Sequence, residues 1–359
     1  MATIYDVAQE TGFSLGTVSN VINNGPRPVR PETRRLILEA VEKLNFHPNA
    51  VARGLARQKT QTIGILFGVV ESSAIVINVY SATILQAVLS VAAETGYNVT
   101  HMTTPWRGAE ESLASYRDGR TDGLIVVAPP TDSDLLPALA ALKTPLVAIS
   151  ASRQEGLAPS VDIDDTHGTR LAVDHLLKLG HRRIAHISGH PNLESAAVRR
   201  AVFAECLAGA QIPLDPAYVK QGYYSPASGY ANTRELLALP QPPTAIFAAN
   251  DEIAIGVLDA AREMGISVPG KLSVVGVDNR PEGGLTHPAL TTLRQPFDDV
   301  GQEATRLLIR RIDGQDISNR TRLFLPDLVV RESTAPPSNS RPKRAKSART
   351  ALPDPMEER

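Results

Sequence analysis

The feature that most constrains the fold is an alternation of short apolar runs with longer amphipathic stretches over residues 60–334. The apolar runs have the length of buried strands and cover residues 62–70, 97–104, 123–128, 145–150, 184–189, 218–224, 245–250, 272–279 and 291–295. The stretches with helical spacing of apolar residues are 82–95, 166–179, 196–210, 228–239, 252–264 and 300–313. Apolar strands separated by helices of this length predict parallel sheets wound by crossover helices. Because so many strands exceed one sheet of this type, we expect two α/β lobes.

The first 59 residues have a different pattern, made of three short helical units. The first unit begins at Thr3, which can form a capping box, and a turn at Gly12 ends it. Ser14 can cap the second helix, and Pro31 begins the third. Two short helices joined by a glycine turn, with a third packed across them, are typical of a helix-turn-helix DNA-binding unit. An accessory three-helix bundle without DNA function would show the same pattern.

A catalytic motif is also present in this region, because residues 12–16 read Gly-Phe-Ser-Leu-Gly and match the nucleophile elbow of hydrolases. That elbow requires a buried strand before the serine and a core helix after it. Here a predicted helix precedes the serine. We therefore interpret the glycine and the serine as a turn followed by a helix cap.

Several other classes of protein are disfavoured by simple features of the chain. Cys206 is the single cysteine, which excludes an internal disulfide and a thiolate metal cluster. No apolar run approaches the length of a membrane span, and the N-terminus lacks the basic and apolar regions of a signal peptide. His181, His186 and His190 are neighbours in sequence, but no cysteine or acidic pair accompanies them at metal-ligand spacing. Without a glycine-rich phosphate loop or a dinucleotide fingerprint, we predict no cofactor, no metal and no enzymatic activity.

The formal net charge of −1 is an average over segments of opposite sign. Residues 1–59 contain eight basic and five acidic residues, which leaves +3. Residues 335–359 contain six basic and three acidic residues, which also leaves +3, so residues 60–334 carry −7. The basic amino-terminal end favours a nucleic-acid partner there. The last segment is rich in Pro, Ser, Lys and Arg, which predicts a disordered basic tail.

The motifs at the amino-terminal end resemble the DNA-binding end of the lactose-repressor (LacI) family. They are Thr-Ile-Tyr-Asp-Val-Ala at 3–8, Thr-Val-Ser-Asn-Val-Ile-Asn at 17–23 and Pro-Asn-Ala-Val-Ala-Arg-Gly-Leu at 48–55. Segments similar to the family's effector-binding core follow in the same order at 62–65, 122–125, 175–185, 248–251, 274–278, 290–296 and 328–333. The resemblance covers residues 2–334 and implies a helix-turn-helix domain, a hinge helix with its linker and a two-lobed, periplasmic-binding-protein-like core for effector binding and dimerisation. The implied limits are 1–48, 49–60 and 61–334, followed by the tail at 335–359.

The outward face of the second helix and the family motifs together predict the DNA contacts. Asn20 suits a paired contact with adenine N6 and N7, although the family usually has arginine there. The resemblance also implies that Leu55, in a hinge helix too short to be stable alone, wedges into the minor groove and kinks the duplex. Because Asn20 and Gly16 leave few base-reading side chains, we expect more of the affinity to come from phosphates and from the kink. The predicted DNA-binding residues are Thr3, Tyr5, Leu15, Gly16, Thr17, Ser19, Asn20, Asn23, Asn49, Ala52, Arg53 and Leu55.

Polar side chains at the carboxyl ends of predicted strands indicate an effector site between the lobes. By the resemblance, Asp278, Asn250 and Arg199 match effector-binding residues of the family; capping of a helix or loop is the alternative for Asp278 and for Asp251. A carboxylate, an amide and a guanidinium around an aromatic face suit a neutral sugar. Sugar-binding members of the family often carry aspartate at the position of Ser150, so the identity of the ligand stays open. The predicted effector-binding residues are Asn78, Tyr80, Ser150, Arg199, Tyr224, Asn250 and Asp278.

These observations predict a sequence-specific transcriptional regulator, a repressor that binds double-stranded operator DNA as a homodimer. We expect it in the bacterial cytoplasm, at the nucleoid when bound to its operator, and released by a small sugar or sugar derivative. A short reader helix covers few base pairs, so two half-sites and a dimer are needed. One alternative is a corepressor-dependent member of the same family that responds to a purine or another metabolite. The other is a stand-alone small-molecule binding protein.

Overall fold

The computed structural model describes residues 2–47, 59–68, 79–142, 144–151, 156–317 and 320–338. Its first segment is a bundle of three helices, α1 (Ile4–Thr11), α2 (Leu15–Ile22) and α3 (Pro31–Lys43). The core of this bundle consists of residues at most 5% exposed: Val7, Val18, Val21, Ile37 and Ala40. Within the part of the chain that the structure describes, no helix is long and apolar enough to cross a membrane.

Local hydrogen bonds define the ends of the first two helices. At the start of α1, the backbone N–H and the hydroxyl of Thr3 donate to the Asp6 carboxylate at 2.6 and 2.8 Å. Gly12, with φ +70°, adopts the left-handed conformation that ends α1. The hydroxyl oxygen of Ser14 accepts a hydrogen bond from the backbone N–H of Thr17 at 3.2 Å. The glycine and serine of the elbow-like motif are thus a turn and a helix cap, as the sequence predicts.

The rest of the described chain alternates strands with helices. In chain order the elements are β1 (Thr62–Phe67), α4 (Val79–Thr95), β2 (Asn98–His101), α5 (Ala109–Tyr116), β3 (Gly123–Val127), α6 (Leu135–Ala140), β4 (Leu146–Ile149), β5 (Ser160–Ile163), α7 (Asp165–Lys178), β6 (Ile184–Ile187), α8 (Glu194–Gly209), β7 (Val219–Lys220), α9 (Pro226–Leu237), β8 (Ala245–Ala248), α10 (Asp251–Glu263), β9 (Ser273–Asp278), α11 (Pro281–Leu285), β10 (Thr291–Arg294), α12 (Phe297–Ile312), β11 (Thr321–Phe324) and β12 (Asp327–Val329). The predicted α/β architecture is confirmed.

The chain separates into two compact units, each with one six-stranded sheet. The first unit consists of Met1–Asp162 with Phe297–Phe324, and the second of Ile163–Pro296 with Leu325–Arg359. The first sheet has the strand order β11-β5-β4-β3-β1-β2, and the second has the order β12-β10-β9-β8-β6-β7. The neighbours from β5 to β2 are parallel, as are those from β10 to β7, whereas β12 runs antiparallel to β10. Parallel pairing brings strand carboxyl ends to one edge of each sheet.

The segment after β12 completes the core of the second unit. Ser333 is fully buried; its hydroxyl donates to the carbonyl of Val274 at 2.6 Å and accepts from the N–H of Thr291 at 2.8 Å. The N–H of Ala335 donates to the hydroxyl of Ser273 at 3.0 Å. The core therefore extends into the first residue of the predicted tail. Residues 339–359 of that tail lie outside the described residues.

A histidine lies at the centre of the second unit's core. His186 is fully buried in β6, and its ring stacks on Phe247 with ring centroids 5.0 Å apart. Its Nδ1 lies 2.9 Å from the carbonyl of Phe247, so Nδ1 carries the proton and donates it to that oxygen. Among the described residues, Nε2 has no hydrogen-bond partner. Burial lowers the pKa of His186 to about 4, so the imidazole is neutral in the folded protein at pH 7.

This shift predicts a loss of stability in mild acid. The unfolded histidine takes up a proton near pH 6.5, whereas the folded one does so only near pH 4. The free energy of unfolding should therefore fall by about 3 kcal/mol from this residue as pH decreases through that window. The variant His186→Phe keeps the stacked ring and should lack this component. Urea denaturation at pH 7 and pH 4.5 measures the difference, and equal acid losses in both proteins would contradict the assignment.

Candidate functional site

The helix-turn-helix bundle exposes much of the predicted DNA-binding face. Tyr5 is 68% exposed and Leu15 is 39% exposed. Gly16 is also exposed, since a Cβ added there would meet only the Ser14 hydroxyl at 3.9 Å. These positions of α1 and α2 are therefore accessible to a macromolecular partner. Their role in DNA binding stays a prediction.

Other predicted DNA-binding side chains are bonded within the bundle. The Thr3 hydroxyl donates to the Asp6 carboxylate at the start of α1, and the hydroxyl of Thr17 lies 3.0 Å from that of Ser14. The amide of Asn23 donates to the hydroxyl of Ser19 at 3.2 Å. The predicted hinge residues Asn49, Ala52, Arg53 and Leu55 lie outside the described residues, as does Asn78 of the predicted effector site.

Asn20 is bonded to the backbone of Arg27 through both ends of its amide. Its Nδ2 donates to the Arg27 carbonyl at 2.8 Å, and its Oδ1 accepts from the Arg27 N–H at 3.3 Å. The sequence pattern predicts that this amide pairs with adenine. In the structure the same atoms instead join α2 to the loop that leads to α3.

In the second unit, the predicted effector residue Arg199 forms a buried ion pair. Its side chain is 6% exposed, and its Nε donates to the Asp165 carboxylate at 2.8 Å. Its Nη1 donates to the carbonyl of Ala249, just after β8, at 2.5 Å. Burial alone would lower the pKa of Arg199, but the charge of Asp165, with smaller effects of Tyr224 and Asp278, raises it above its ordinary value. The guanidinium therefore keeps its positive charge, and the carboxylate of Asp165 balances that charge.

Asp278 ends β9 beside this ion pair. Its Oδ1 accepts from Nε2 of Gln295 at 2.7 Å. Burial and the neighbouring carboxylate of Asp251 raise the pKa of Asp278 well above its ordinary range. A carboxyl group in that state holds a proton more readily and can donate as well as accept. Asp251 itself accepts from the Thr292 hydroxyl at 2.6 Å and from the Arg280 N–H at 2.8 Å, so its carboxylate is a structural anchor.

Tyr224 and Asn250 complete the predicted set in the second unit. The Tyr224 hydroxyl lies 3.0 Å from the Ser195 hydroxyl, and its ring lies against Gly189. A Cβ on Gly189 would be 2.0 Å from that ring, so only glycine leaves room for it. Oδ1 of Asn250 accepts from the N–H of Ile253 at 2.9 Å and caps α10. Asn250 therefore stabilises the start of α10, a role that its position after a strand does not predict.

In the first unit, the structure brings Tyr80 and Ser150 together. Their hydroxyls are 2.9 Å apart, and the Tyr80 ring meets Phe297 edge to face at 5.0 Å between centroids. Ser150 at the end of β4 has φ +58°. Tyr224 and Asp278 have φ +55° and +122° in the second unit. Such backbone conformations cost about 1–3 kcal/mol in residues other than glycine. Six other described residues share them, Asn24 and Gln211 among these, so the ligand role of Ser150, Tyr224 and Asp278 stays a prediction.

Pattern reasoning missed the partners of these side chains, namely Asp165, Ser195, Gln295 and Phe297. Gln295 directly follows β10, and β10 pairs with β9, which carries Asp278. The strand-end rule that selected Asp278 would therefore have selected Gln295 as well. Asp165 follows β5, a strand that was not predicted. In the described ranges, no group of three or more His, Cys, Asp or Glu residues could hold a metal ion.

Comparisons with known proteins match both parts of the chain. Residues 3–49 match the bacterial regulatory proteins of the lacI family, and residues 173–334 match the periplasmic binding protein-like domain. Catabolite control protein A of Priestia megaterium is 32% identical over 337 residues, which cover 92% of this chain and 99% of that protein. The HTH-type transcriptional repressor PurR of Erwinia tasmaniensis is 35% identical over 341 residues, which cover 93% and 97%.

Two solved structures are similar over nearly the same span. The lac repressor dimer bound to operator and the anti-inducer ONPF has a TM-score of 0.80 and 31% identity, and the alignment covers 93% of this chain and 99% of that one. The complex of the transcriptional regulator CelR with cellobiose has a TM-score of 0.71 and 30% identity, with coverage of 93% and 100%.

The buried ion pair yields a prediction about stability. Replacement of Arg199 by methionine leaves the Asp165 carboxylate buried without its main partner, which should lower the free energy of unfolding by about 3 kcal/mol. The double variant Arg199→Met/Asp165→Leu removes both charges and should recover part of that loss. Denaturant unfolding of the three proteins measures the effect. A double variant that is less stable than the single one would contradict this account.

Proposed function

Because the chain belongs to the lacI family of bacterial regulatory proteins, it is a DNA-binding transcriptional repressor, and we propose that a neutral sugar or sugar derivative releases it from its operator. The observation that carries the sugar assignment is the ion pair of Arg199 with Asp165. Since that cation is already neutralised, it offers hydrogen-bond donors without an uncompensated positive charge. An anionic effector would gain little from it.

The remaining side chains of the second unit support the same class of ligand. Asp278, with its raised pKa, can donate or accept, and the Gln295 amide beside it does both. Sugar hydroxyls have the same dual capacity, and the Tyr224 ring offers an apolar face. The CelR structure contains cellobiose, which supports a saccharide for a protein of similar fold. The residue assignment and the domain limits 1–48, 49–60, 61–334 and 335–359 belong to this proposal.

A corepressor-dependent regulator is the second candidate. The identity to PurR repressors favours it, and a purine ligand would need aromatic rings to stack on. Tyr224 in the second unit and Tyr80 with its neighbour Phe297 in the first could supply such rings. The sugar and purine candidates differ in which ligand class binds and in the sign of its effect on DNA binding.

The proposal includes the partners and the place of action. The repressor acts as a homodimer on double-stranded operator DNA in the bacterial cytoplasm, at the nucleoid when bound, and it performs no catalytic reaction. A dimer on an operator is seen for the lac repressor, whose fold is similar. By linkage, an effector that weakens DNA binding must itself be bound more weakly by the DNA complex.

A thermal-shift screen tests the effector class. We expect a mono- or disaccharide to raise the melting temperature by about 3 °C at a hundred times its Kd, and nucleobases and sugar phosphates not to. Asp278→Ala should abolish the shift, whereas Asp259→Ala, an exposed aspartate of α10, should preserve it. A shift by nucleobases instead of sugars would favour the corepressor. A shift that survives in Asp278→Ala, or a sugar that leaves DNA affinity unchanged, would contradict the site or the release mechanism.

The predicted hinge is tested by Leu55→Ala. If this side chain wedges into the minor groove, its loss should reduce operator affinity about tenfold and should reduce the bend of the bound DNA. Fluorescence polarisation measures the affinity, and energy transfer between dyes at the duplex ends measures the bend. Leu214→Ala, at a 40% exposed leucine of the second unit, serves as the control. Unchanged affinity and bending would show that Leu55 is no wedge.

A further inference from the structure

The loop between α2 and α3 is held by the side-chain amide of Asn20, which bonds to the backbone of Arg27. Asn20 donates to the carbonyl and accepts from the N–H of Arg27, at 2.8 and 3.3 Å. The oxygen of the amide must face the N–H and the nitrogen must face the carbonyl, so the orientation of the side chain is determined. One edge of the amide is thereby bound to the backbone of a residue seven positions along the chain.

The chain packs closely against this contact. The N–H of Gly25 donates to the Asn20 carbonyl at 2.8 Å. A Cβ on Gly25 would lie 2.2 Å from Oδ1 of Asn20, so the loop closes over the amide only because position 25 is glycine. From the other side, the Arg34 guanidinium of α3 donates to the Asn24 side-chain oxygen. The loop is therefore held by both flanking helices.

The same loop carries Arg27 and Arg30, two cations of the bundle that no carboxylate within residues 2–47 neutralises. Arg35 is paired with Glu32 and Glu39 at 2.5 and 2.7 Å, and Lys43 is paired with Glu10 at 2.6 Å. Within residues 2–47, the exposed Arg27 and Arg30 form no ion pair. A surface cation of this kind is available to a DNA phosphate.

We infer that Asn20 is a positioning residue of the DNA interface, which holds the loop so that Arg27 and Arg30 contact phosphates, and that it does not read a base. The inference rests on the proposed function of the chain as an operator-binding repressor. A paired contact with adenine needs both the donor and the acceptor of the amide, and the Arg27 peptide group already occupies that edge. Phosphate contacts position a protein without sequence information, whereas base contacts specify sequence. The two roles therefore have different experimental signatures.

The test uses the full-length chain and a pool of randomised duplexes. The duplexes that the wild-type protein binds best are first enriched from the pool. The Kd of each protein is then measured over a series of salt concentrations, for the enriched duplex and for a duplex of scrambled sequence. Asn20→Ala should weaken both duplexes by the same factor, about tenfold, and should lower the salt slope by about two to four, because the loop of each protomer in the homodimer loses its phosphate contacts. A separate selection from the pool with the Asn20→Ala variant should enrich the same base sequence as the selection with wild type.

A double-mutant cycle with Arg27→Ala separates the two roles further. If Asn20 acts through the loop, the variant Asn20→Ala/Arg27→Ala should bind within about twofold of Asn20→Ala, because the Arg27 contact is already lost. Independent contacts would instead multiply the two losses.

Gly25→Ala covers the case in which Asn20→Ala fails to fold, which circular dichroism detects. Its new Cβ displaces the contact without altering a polar side chain, so it should reproduce the uniform loss of affinity. Gly209→Ala is the matched control, since a Cβ there meets nothing within 4 Å.

Three results would overturn the inference: a loss confined to the selected duplex, a changed base preference in Asn20→Ala, or losses that multiply in the double variant. Wild type that enriches no sequence at all would overturn the proposed function, and the inference with it. Wild type that selects a sequence while Asn20→Ala selects another would overturn the inference alone.

Discussion

The polar edge of the second unit depends on one buried charge, the guanidinium of Arg199. A buried cation is costly unless it is paired and its hydrogen bonds are satisfied. Here Asp165 supplies the opposite charge and Ala249 supplies a carbonyl at the end of β8. Arg199 therefore ties α8 to the start of α7 and to the sheet at the same point. The ligand-facing role that we propose for this edge depends on that fixed and neutralised cation.

A second constraint comes from two carboxyl groups at the same edge. Burial raises the pKa of Asp251 to about 6, and the proximity of Asp251 helps to raise that of Asp278. Asp251 is the better stabilised of the two, because Thr292 and the Arg280 backbone donate to it. The close approach of Asp251 to β9 depends on Gly276, where a Cβ would lie 2.2 Å from its oxygen. Asp251 thus takes the hydrogen bonds that favour ionisation, and Asp278 is left as the carboxyl that more readily holds a proton.

The alternation of strands and helices was predictable because burial on both faces of a parallel strand demands a continuous apolar run. β11 and β12 escaped prediction because their residues are exposed or only partly buried, and β5 because it is a four-residue strand containing an aspartate. At the candidate site, position at the end of a strand selected Asp278 and Ser150, and the structure places Gln295 beside the first and Tyr80 beside the second. The same rule could not reveal that the amide of Asn250 caps α10, since a cap depends on the backbone conformation of the next turn.

Asn20 and Asn250 show why a polar side chain cannot be assigned to a ligand from its position alone. Each lies at a place suited to recognition, yet each satisfies backbone groups of its own domain. The same accounting applies to charge. Residues 2–47 carry five basic side chains, but carboxylates neutralise Arg35 and Lys43, and Arg34 is bonded to Asn24. Arg34 keeps its positive charge beside the neutral amide of Asn24, and Arg27 and Arg30 in the loop after α2 keep theirs. The cations that remain for a phosphate therefore lie in that loop or are bonded to it, so the placement of the loop determines where they are presented.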